Sequence, residues 1–146
     1  MKISVHNRQR ALRVNLPWLR RIAEVALEEC LPHSADGRFA LGNLEEVEVS
    51  IVSDRVIADV HRRFMNIRGA TDVITFEHGE IIMSAQTARD YGASYGHSVD
   101  EELALYIIHG LLHLNGYEDE TAKEAAAMGR VQDRILRACF QSAPPL

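Results

Sequence analysis

His109-Gly110-Leu111-Leu112-His113-Leu114-Asn115-Gly116-Tyr117-Glu118-Asp119 closes a run that begins Leu103-Ala104-Leu105-Tyr106-Ile107-Ile108. The lead-in is apolar nearly all round, which predicts a central, buried helix rather than a half-exposed one. Side chains at i and i+4 share a helix face, so His109 and His113 present two imidazoles one above the other. Gly116 stands where helices commonly enter the left-handed conformation and stop, letting the chain fold back after His113. Asp119 then follows the turn, placed to add a carboxylate without straining the helix. Two imidazoles, one carboxylate and an open position form the ligand set of a catalytic rather than a structural zinc site. With 7 His in 146 residues, chance alone gives about 0.3 such pairs, so the pair alone is weak evidence. The buried helix adds the stronger argument, because imidazoles at its end need polar partners or a metal.

The length predicts one domain with one substantial core, residues 1–146. Composition is ordinary for a soluble globular chain, at 47% hydrophobic and 25% charged, so disorder and repeats are not required. Met1 to Arg8 contains no apolar signal region, and the longest apolar run is too short and histidine-interrupted to span a bilayer. A cytoplasmic location is the expectation. Cys30 and Cys139 form no CxxC pair and read as two reduced, packed thiols.

The net charge of -5 argues against gripping nucleic acid with the whole surface, but the charge is uneven. Lys2, Arg8, Arg10, Arg13, Arg20 and Arg21 lie in an N-terminal stretch without acidic residues. Arg55, Arg62, Arg63 and Arg68 form a second basic region. Glu101, Glu102, Glu118, Asp119, Glu120 and Glu124 gather around the candidate site. Such polarity can steer a polyanion to one face while the acidic side holds a cation; solvated helix faces are the plainer reading.

Along the chain, residues 2 to 6 alternate as a short edge strand, and Leu16 to Leu31 carries a helical apolar stripe. Pro32 to Gly42 reads as a loop. Glu46 to Val52 is the clearest strand, with β-branched residues on its inner face. Ser53 or Asp54 caps a helix to about Asn66, with Val56, Ile57, Val60 and Phe64 as its expected buried stripe. Residues 71–76 and 79–84 read as strands joined by a short link, antiparallel or separated by a bend. A short helix is expected from Ala85 to about Tyr91, ending at Gly92. Ser98-Val99-Asp100-Glu101 and Thr121-Ala122-Lys123-Glu124 are capping boxes that start the last two helices. Met65, Met83 and Met128 read as core, and His6, His33, His61, His78 and His97 as surface or loop histidines. The fold class is α+β: a small mixed sheet of about four strands covered by helices, with the metal site at the end of a central buried helix.

These residues resemble the YbeY family of bacterial rRNA maturation factors. The resemblance rests on His109-Gly110-Leu111-Leu112-His113-Leu114 with Gly116-Tyr117, on Thr71-Asp72-Val73-Ile74-Thr75-Phe76, and on Gly79-Glu80-Ile81-Ile82-Met83-Ser84. Order and spacing agree from about Val47 to Leu136. The resemblance implies a zinc-dependent, single-strand-specific endoribonuclease acting in 16S rRNA 3′-end maturation and ribosome quality control. It implies one Zn²⁺ on His109, His113 and Asp119. It implies as partners rRNA and the ribosomal small subunit, with ribosomal or GTPase assembly-factor proteins beside them. Three departures stand out. Asp119 occupies the place of the family's commonest third histidine, and its charge makes a bound metal a weaker Lewis acid. The family's usual Arg falls on Met65, leaving Arg63 and Arg68, or Arg62, as candidates to offset phosphoryl charge. Glu80 replaces an Asp.

Two rivals are set against this reading. A zinc peptidase would carry a Glu at position 110 as the HExxH base, and Gly110 stands there. A non-catalytic ribosome-associated factor, metal-stabilised and RNA-binding, is favoured by Met65 and by the acidic third ligand.

Overall fold

The computed structural model describes residues 1–145 and places four strands in one sheet in the order β1-β2-β4-β3. The strands are β1 (Lys2–Asn7), β2 (Glu46–Val52), β3 (Val73–Phe76) and β4 (Glu80–Ser84). β1 pairs parallel with β2, and β2 parallel with β4. β3 pairs antiparallel with β4 through the short link at His78-Gly79. Parallel neighbours require crossovers. Helix α1 (Leu16–Cys30) lies in the first, and α2 (Asp54–Met65) followed by β3 lies in the second. Then come α3 (Ala85–Tyr95), α4 (Val99–Leu114) and α5 (Ala122–Ser142). The expected α+β class and mixed four-stranded sheet are observed.

β4 reads as an unbroken apolar run because both of its faces are covered. Ile81 and Met83 enter the main core with Val47, Val49 and Ile51 of β2 and the buried faces of α1 and α4. Ile82 points the other way, into a smaller cluster with Val52, Ile57 and Ile74 under α2. α4 is the central helix: Leu103, Ala104, Ile107, Ile108, Leu111 and Leu112 are all fully buried. Its Ser98–Glu101 capping box and the Thr121–Glu124 box of α5 are both closed. No helix among the described residues is long and apolar enough to cross a membrane. Cys30 and Cys139 are free and buried, and burial pushes both thiols up, Cys139 to about 12.

Several expectations change. On α2 only Ile57 is fully buried; Val56 is 44% and Phe64 68% exposed. The second cluster is too small to cover a full helical stripe, and Phe64 packs edge-on to Phe76 instead. Met65 is an exposed residue, not a core one, whereas Met83 and Met128 are buried. α3 passes through Gly92 and ends at Gly96, because the missing side chain at Gly92 admits the carbonyl of His97. The expected loop after α1 contains a 3-10 turn at Ala40–Asn43. The expected tail from Ser142 is partly ordered: Trp18 Nε1 donates to the carbonyls of Ala143 and Pro144, and Ala143 is buried.

Gly110 lies where α4 presses on the sheet. A Cβ there would meet Ile81 Cδ1 at 2.7 Å and Thr75 Oγ1 at 3.1 Å. Any larger side chain overpacks this contact, so Gly110→Val is expected to lower stability by about 1–3 kcal/mol. A urea titration checks this as a lowered midpoint at unchanged slope. The same contact denies position 110 to the glutamate of a zinc peptidase.

Candidate metal centre

The centre is built at the C-terminal end of α4. Asn115 caps the helix, and Gly116 takes φ 96°. Gly116 N–H donates to the His113 carbonyl and Tyr117 N–H to the Leu112 carbonyl, 3.1 and 3.0 Å. These two bonds make a Schellman turn, which satisfies the last carbonyls of the helix and reverses the chain. The reversal brings the Tyr117 carbonyl to His113 Nδ1 at 2.8 Å. Gln132, reaching in from α5, meets His109 Nδ1 through Oε1, also at 2.8 Å.

These two contacts fix the chemistry of the rings. A carbonyl oxygen only accepts, so each Nδ1 carries the proton and, in the neutral ring, each Nε2 is a bare lone pair. The two Nε2 atoms lie 3.0 Å apart. Asp119 Oδ2 joins them at 3.5 Å from His109 and 3.7 Å from His113. Three acceptors therefore face one another with no donor between them. A shared cation resolves that conflict, and the His109, His113 and Asp119 ligand atoms all lie within 4.8 Å of one another. Zinc bonds of 2.0–2.1 Å at a tetrahedral angle would separate two nitrogens by about 3.3 Å, close to what is seen. The donor set thus fits a divalent metal.

The ligands border a cleft of about 550 Å³ that also touches His61, Met65, Thr71, Asp72 and Glu77. The histidines are half-buried and Asp119 is more open, so one side of the centre faces solvent. Burial holds the His109 imidazole below its ordinary value, while the Gln132 hydrogen bond and the nearby Asp119 and Asp72 act in the opposite sense. The unfolded chain therefore takes up this proton before the native one does. Native stability from this group is complete above about the ordinary value of 6.5 and is lost as pH falls from there toward the lowered native value. Metal-free protein should show a falling urea midpoint across that window, and His109→Gln should flatten the fall.

The structure brings together His109, His113 and Asp119, and it places the other candidates elsewhere. Arg63 lies exposed on α2, paired with Asp59 at 3.4 Å. Arg68 lines a separate groove with Arg55 and Arg62. Neither lines the metal cleft, although they flank Met65, which does. Asp72 accepts from its own neighbours, Val73 N–H at 2.7 Å and Thr71 Oγ1 at 3.3 Å, and so shapes the turn. The acidic grouping is partly structural: Glu101 and Glu124 close capping boxes, and Glu102 is buried against His97. N-terminal basic residues are partly committed too. Arg8 pairs with Glu48, Arg20 donates to the Val5 carbonyl, and Arg21 to that of Ser142.

Two participants escape a reading of the sequence as motifs. Gln132 follows Met128 and precedes Ile135 and Cys139, so it is a polar residue on the buried stripe of α5. That interruption is the signal for it. His61, expected as a bland surface histidine, borders the cleft with Nδ1 held 3.0 Å from the Gly69 carbonyl. Only its place four residues after buried Ile57 hints at an inward-facing edge.

Comparison with known proteins agrees with this architecture. The family model described as Endoribonuclease YbeY matches residues 4–139. The Endoribonuclease YbeY of Mycobacterium ulcerans is 32% identical over 123 residues, covering 68% of this chain and 69% of its own. That of Synechococcus sp. is 30% identical over 136 residues, 82% of each chain. A solution structure of a Thermotoga maritima protein matches with a TM-score of 0.65 over 96% of this chain and 90% of its own; at 21% identity it bears on the fold alone. The matched span contains the whole sheet except the start of β1, the paired histidines, the Schellman turn and Asp119, and the chain belongs to the YbeY endoribonuclease family.

Proposed function

We propose that this chain is a zinc-dependent endoribonuclease that cuts single-stranded RNA during 16S rRNA 3′-end maturation and ribosome quality control in the cytoplasm. Family membership supports the reaction class. The observation that carries the metal dependence is the facing of two Nε2 atoms and a carboxylate oxygen, with both Nδ1 atoms already committed to carbonyl oxygens.

Zinc held by His109, His113 and Asp119 would supply Lewis acidity toward a water and a phosphoryl oxygen. The chain's own residues do the rest. Gln132 and the Tyr117 carbonyl hold the imidazoles in register and raise the basicity of Nε2. Asp119 supplies the negative charge that binds the cation, and Asp72, Glu77 and Glu118 add to the acidity of the cleft. A phosphodiester would be repelled by that cleft until a cation offsets the carboxylates, so RNA would bind only to the metal-loaded protein. His61 is the one imidazole beside the cleft outside the ligand set among the described residues, and its Nε2 is the group suited to hold or pass a proton. Arg63 and Arg68, which flank Met65 in the sequence but lie outside the cleft, would meet phosphates flanking the scissile one.

The test is metal removal. Full-length protein is stripped with a chelator, dialysed and reloaded with zinc, then given a single-stranded 16S 3′-precursor RNA and its duplexed form. Cleavage of the single strand should vanish on stripping and return with stoichiometric zinc. Undiminished rRNA binding without cleavage at any zinc level would instead establish the non-catalytic factor.

A further inference from the structure

Beside the metal cleft lies a second hollow, of about 370 Å³, that the mechanism above does not use. Asp72, Val73 and His109 border both, so the two are contiguous. The rest of its wall includes Tyr91 and Tyr95 from α3 and Glu102 and Tyr106 from α4.

Two features of that wall have no account in the fold. Tyr106 is 4% exposed, and its hydroxyl is buried without a hydrogen-bond partner among the described residues. A buried donor left unpaired is costly, so a partner for it is called for. Burial first, then the Glu102 carboxylate, push the Tyr106 phenol up, so it remains a proton donor at neutral pH. Next to it, Glu102 is also 4% exposed; its Oε2 meets His97 Nδ1 at 3.2 Å. Oε1 takes no hydrogen bond among the described residues and, unlike the Tyr106 hydroxyl, is not wholly buried. Tyr91 and Tyr95, 49% and 72% exposed and one helical turn apart, line the same hollow as this donor and acceptor. Exposed aromatic rings beside a fixed donor and acceptor are what an unstacked base of single-stranded RNA requires.

We propose that this hollow is a nucleobase pocket selective for guanine, seating a base of the strand whose phosphodiester lies at the metal centre. Guanine is the base whose pairing edge sets two adjacent donors, N1–H and the N2 amino group, beside a carbonyl, O6. The Glu102 carboxylate accepts from the two donors while keeping its bond to His97, and the Tyr106 hydroxyl donates to O6. Adenine and cytosine lack the second donor next to a carbonyl, and uracil offers a single N–H. Tyr91 and Tyr95 supply stacking that is blind to base identity. The inference rests on the RNA-cleaving reading above, and it names the residues that would choose where the strand is cut.

The experiment is calorimetric titration of the zinc-loaded full-length protein with GMP, AMP, CMP and UMP, whose common phosphate cancels any contribution from the metal. GMP should bind at least fivefold more tightly than the other three. Tyr106→Phe should weaken GMP about 5- to 10-fold, the loss expected for one hydrogen bond, and leave the others nearly unchanged. Its melting temperature should stay level or rise, because the variant removes an unsatisfied buried group. Tyr95→Ala should weaken all four nucleotides together. Equal affinity for the four nucleotides, or a GMP preference that survives Tyr106→Phe, overturns the pocket; so does a melting temperature lowered by that variant, which would assign the hydroxyl to the fold. Cleavage of oligonucleotides with and without a single guanosine, run in parallel, separates the two readings. Guanine-selective binding with no cleavage of any RNA sinks the nuclease alone, whereas cleavage indifferent to guanosine, without selective binding, sinks the pocket alone.

Discussion

Alanine in place of His113 is expected to reduce bound zinc to background and RNA cleavage by more than about 100-fold, since even outer-shell partners of a metal ligand are worth about 10–100-fold. The fold should survive. Position 113 is on the half-buried end of α4, the main core lies elsewhere on that helix, and alanine is a strong helix former. Gln132→Ala provides the graded comparison: His109 would remain but lose the acceptor at 2.8 Å that fixes its tautomer. Its zinc affinity should fall by about 10–100-fold rather than disappear. Elemental analysis of wild type, His113→Ala, Asp119→Ala and Gln132→Ala reads all of this directly. Near-stoichiometric zinc in His113→Ala would dismantle the centre, and full retention in Asp119→Ala would remove that carboxylate from it. Equal residual nuclease in every sample would point to a contaminant.

The part of this centre that was legible in the sequence is the part governed by local rules. Histidines at i and i+4, a glycine after the last apolar residue, and two S/T-x-x-E boxes are short-range patterns whose geometry follows from helix periodicity, and each appears as expected. The strand at β2 is equally local, although its burial stops alternating after Val49, where Ser50, Ile51 and Val52 are all buried. What sequence pattern did not disclose depends on contacts between distant segments. Val56 and Phe64 match a buried helical stripe, but only tertiary packing decides that the far face of the sheet is too narrow to cover them. Gly92 resembles a helix stop; it serves a close approach to His97 instead, and the helix continues to Tyr95. Gln132 lies 13 positions beyond Asp119 in number, yet it meets His109 because α5 folds back along α4. The charge pattern was the least informative, because Glu101, Glu102, Glu124, Arg8, Arg20 and Arg21 turn out to be committed to caps, pairs and carbonyls.

Asn115→Ala should produce the largest loss of stability of any single polar substitution in the chain. Asn115 is fully buried at the last turn of α4. Its Nδ2 donates to the carbonyls of Cys30, Leu31 and His33, at 3.1, 3.3 and 2.8 Å, and its Oδ1 accepts from Leu41 N–H at 3.2 Å. One side chain thus ties the end of α4 to the end of α1 and to the 3-10 turn. Alanine would strand several of these backbone groups away from water at about 1–3 kcal/mol each, for a total of about 3–5 kcal/mol after partial relaxation. Asn115→Asp is no rescue, because a carboxylate would face three carbonyl oxygens. The loss also reaches the metal. Gly116 and Tyr117 follow directly, and the Tyr117 carbonyl is what orients His113, so a loosened cap should weaken zinc binding. Linkage then runs in both directions: zinc at 100 times its dissociation constant adds about 2.7 kcal/mol to whichever variant still binds it. Urea unfolding of Asn115→Ala with and without zinc measures both effects. A midpoint within experimental error of wild type in the metal-free protein would show that the loop carbonyls find other partners, and that the site at the end of α4 does not depend on this side chain.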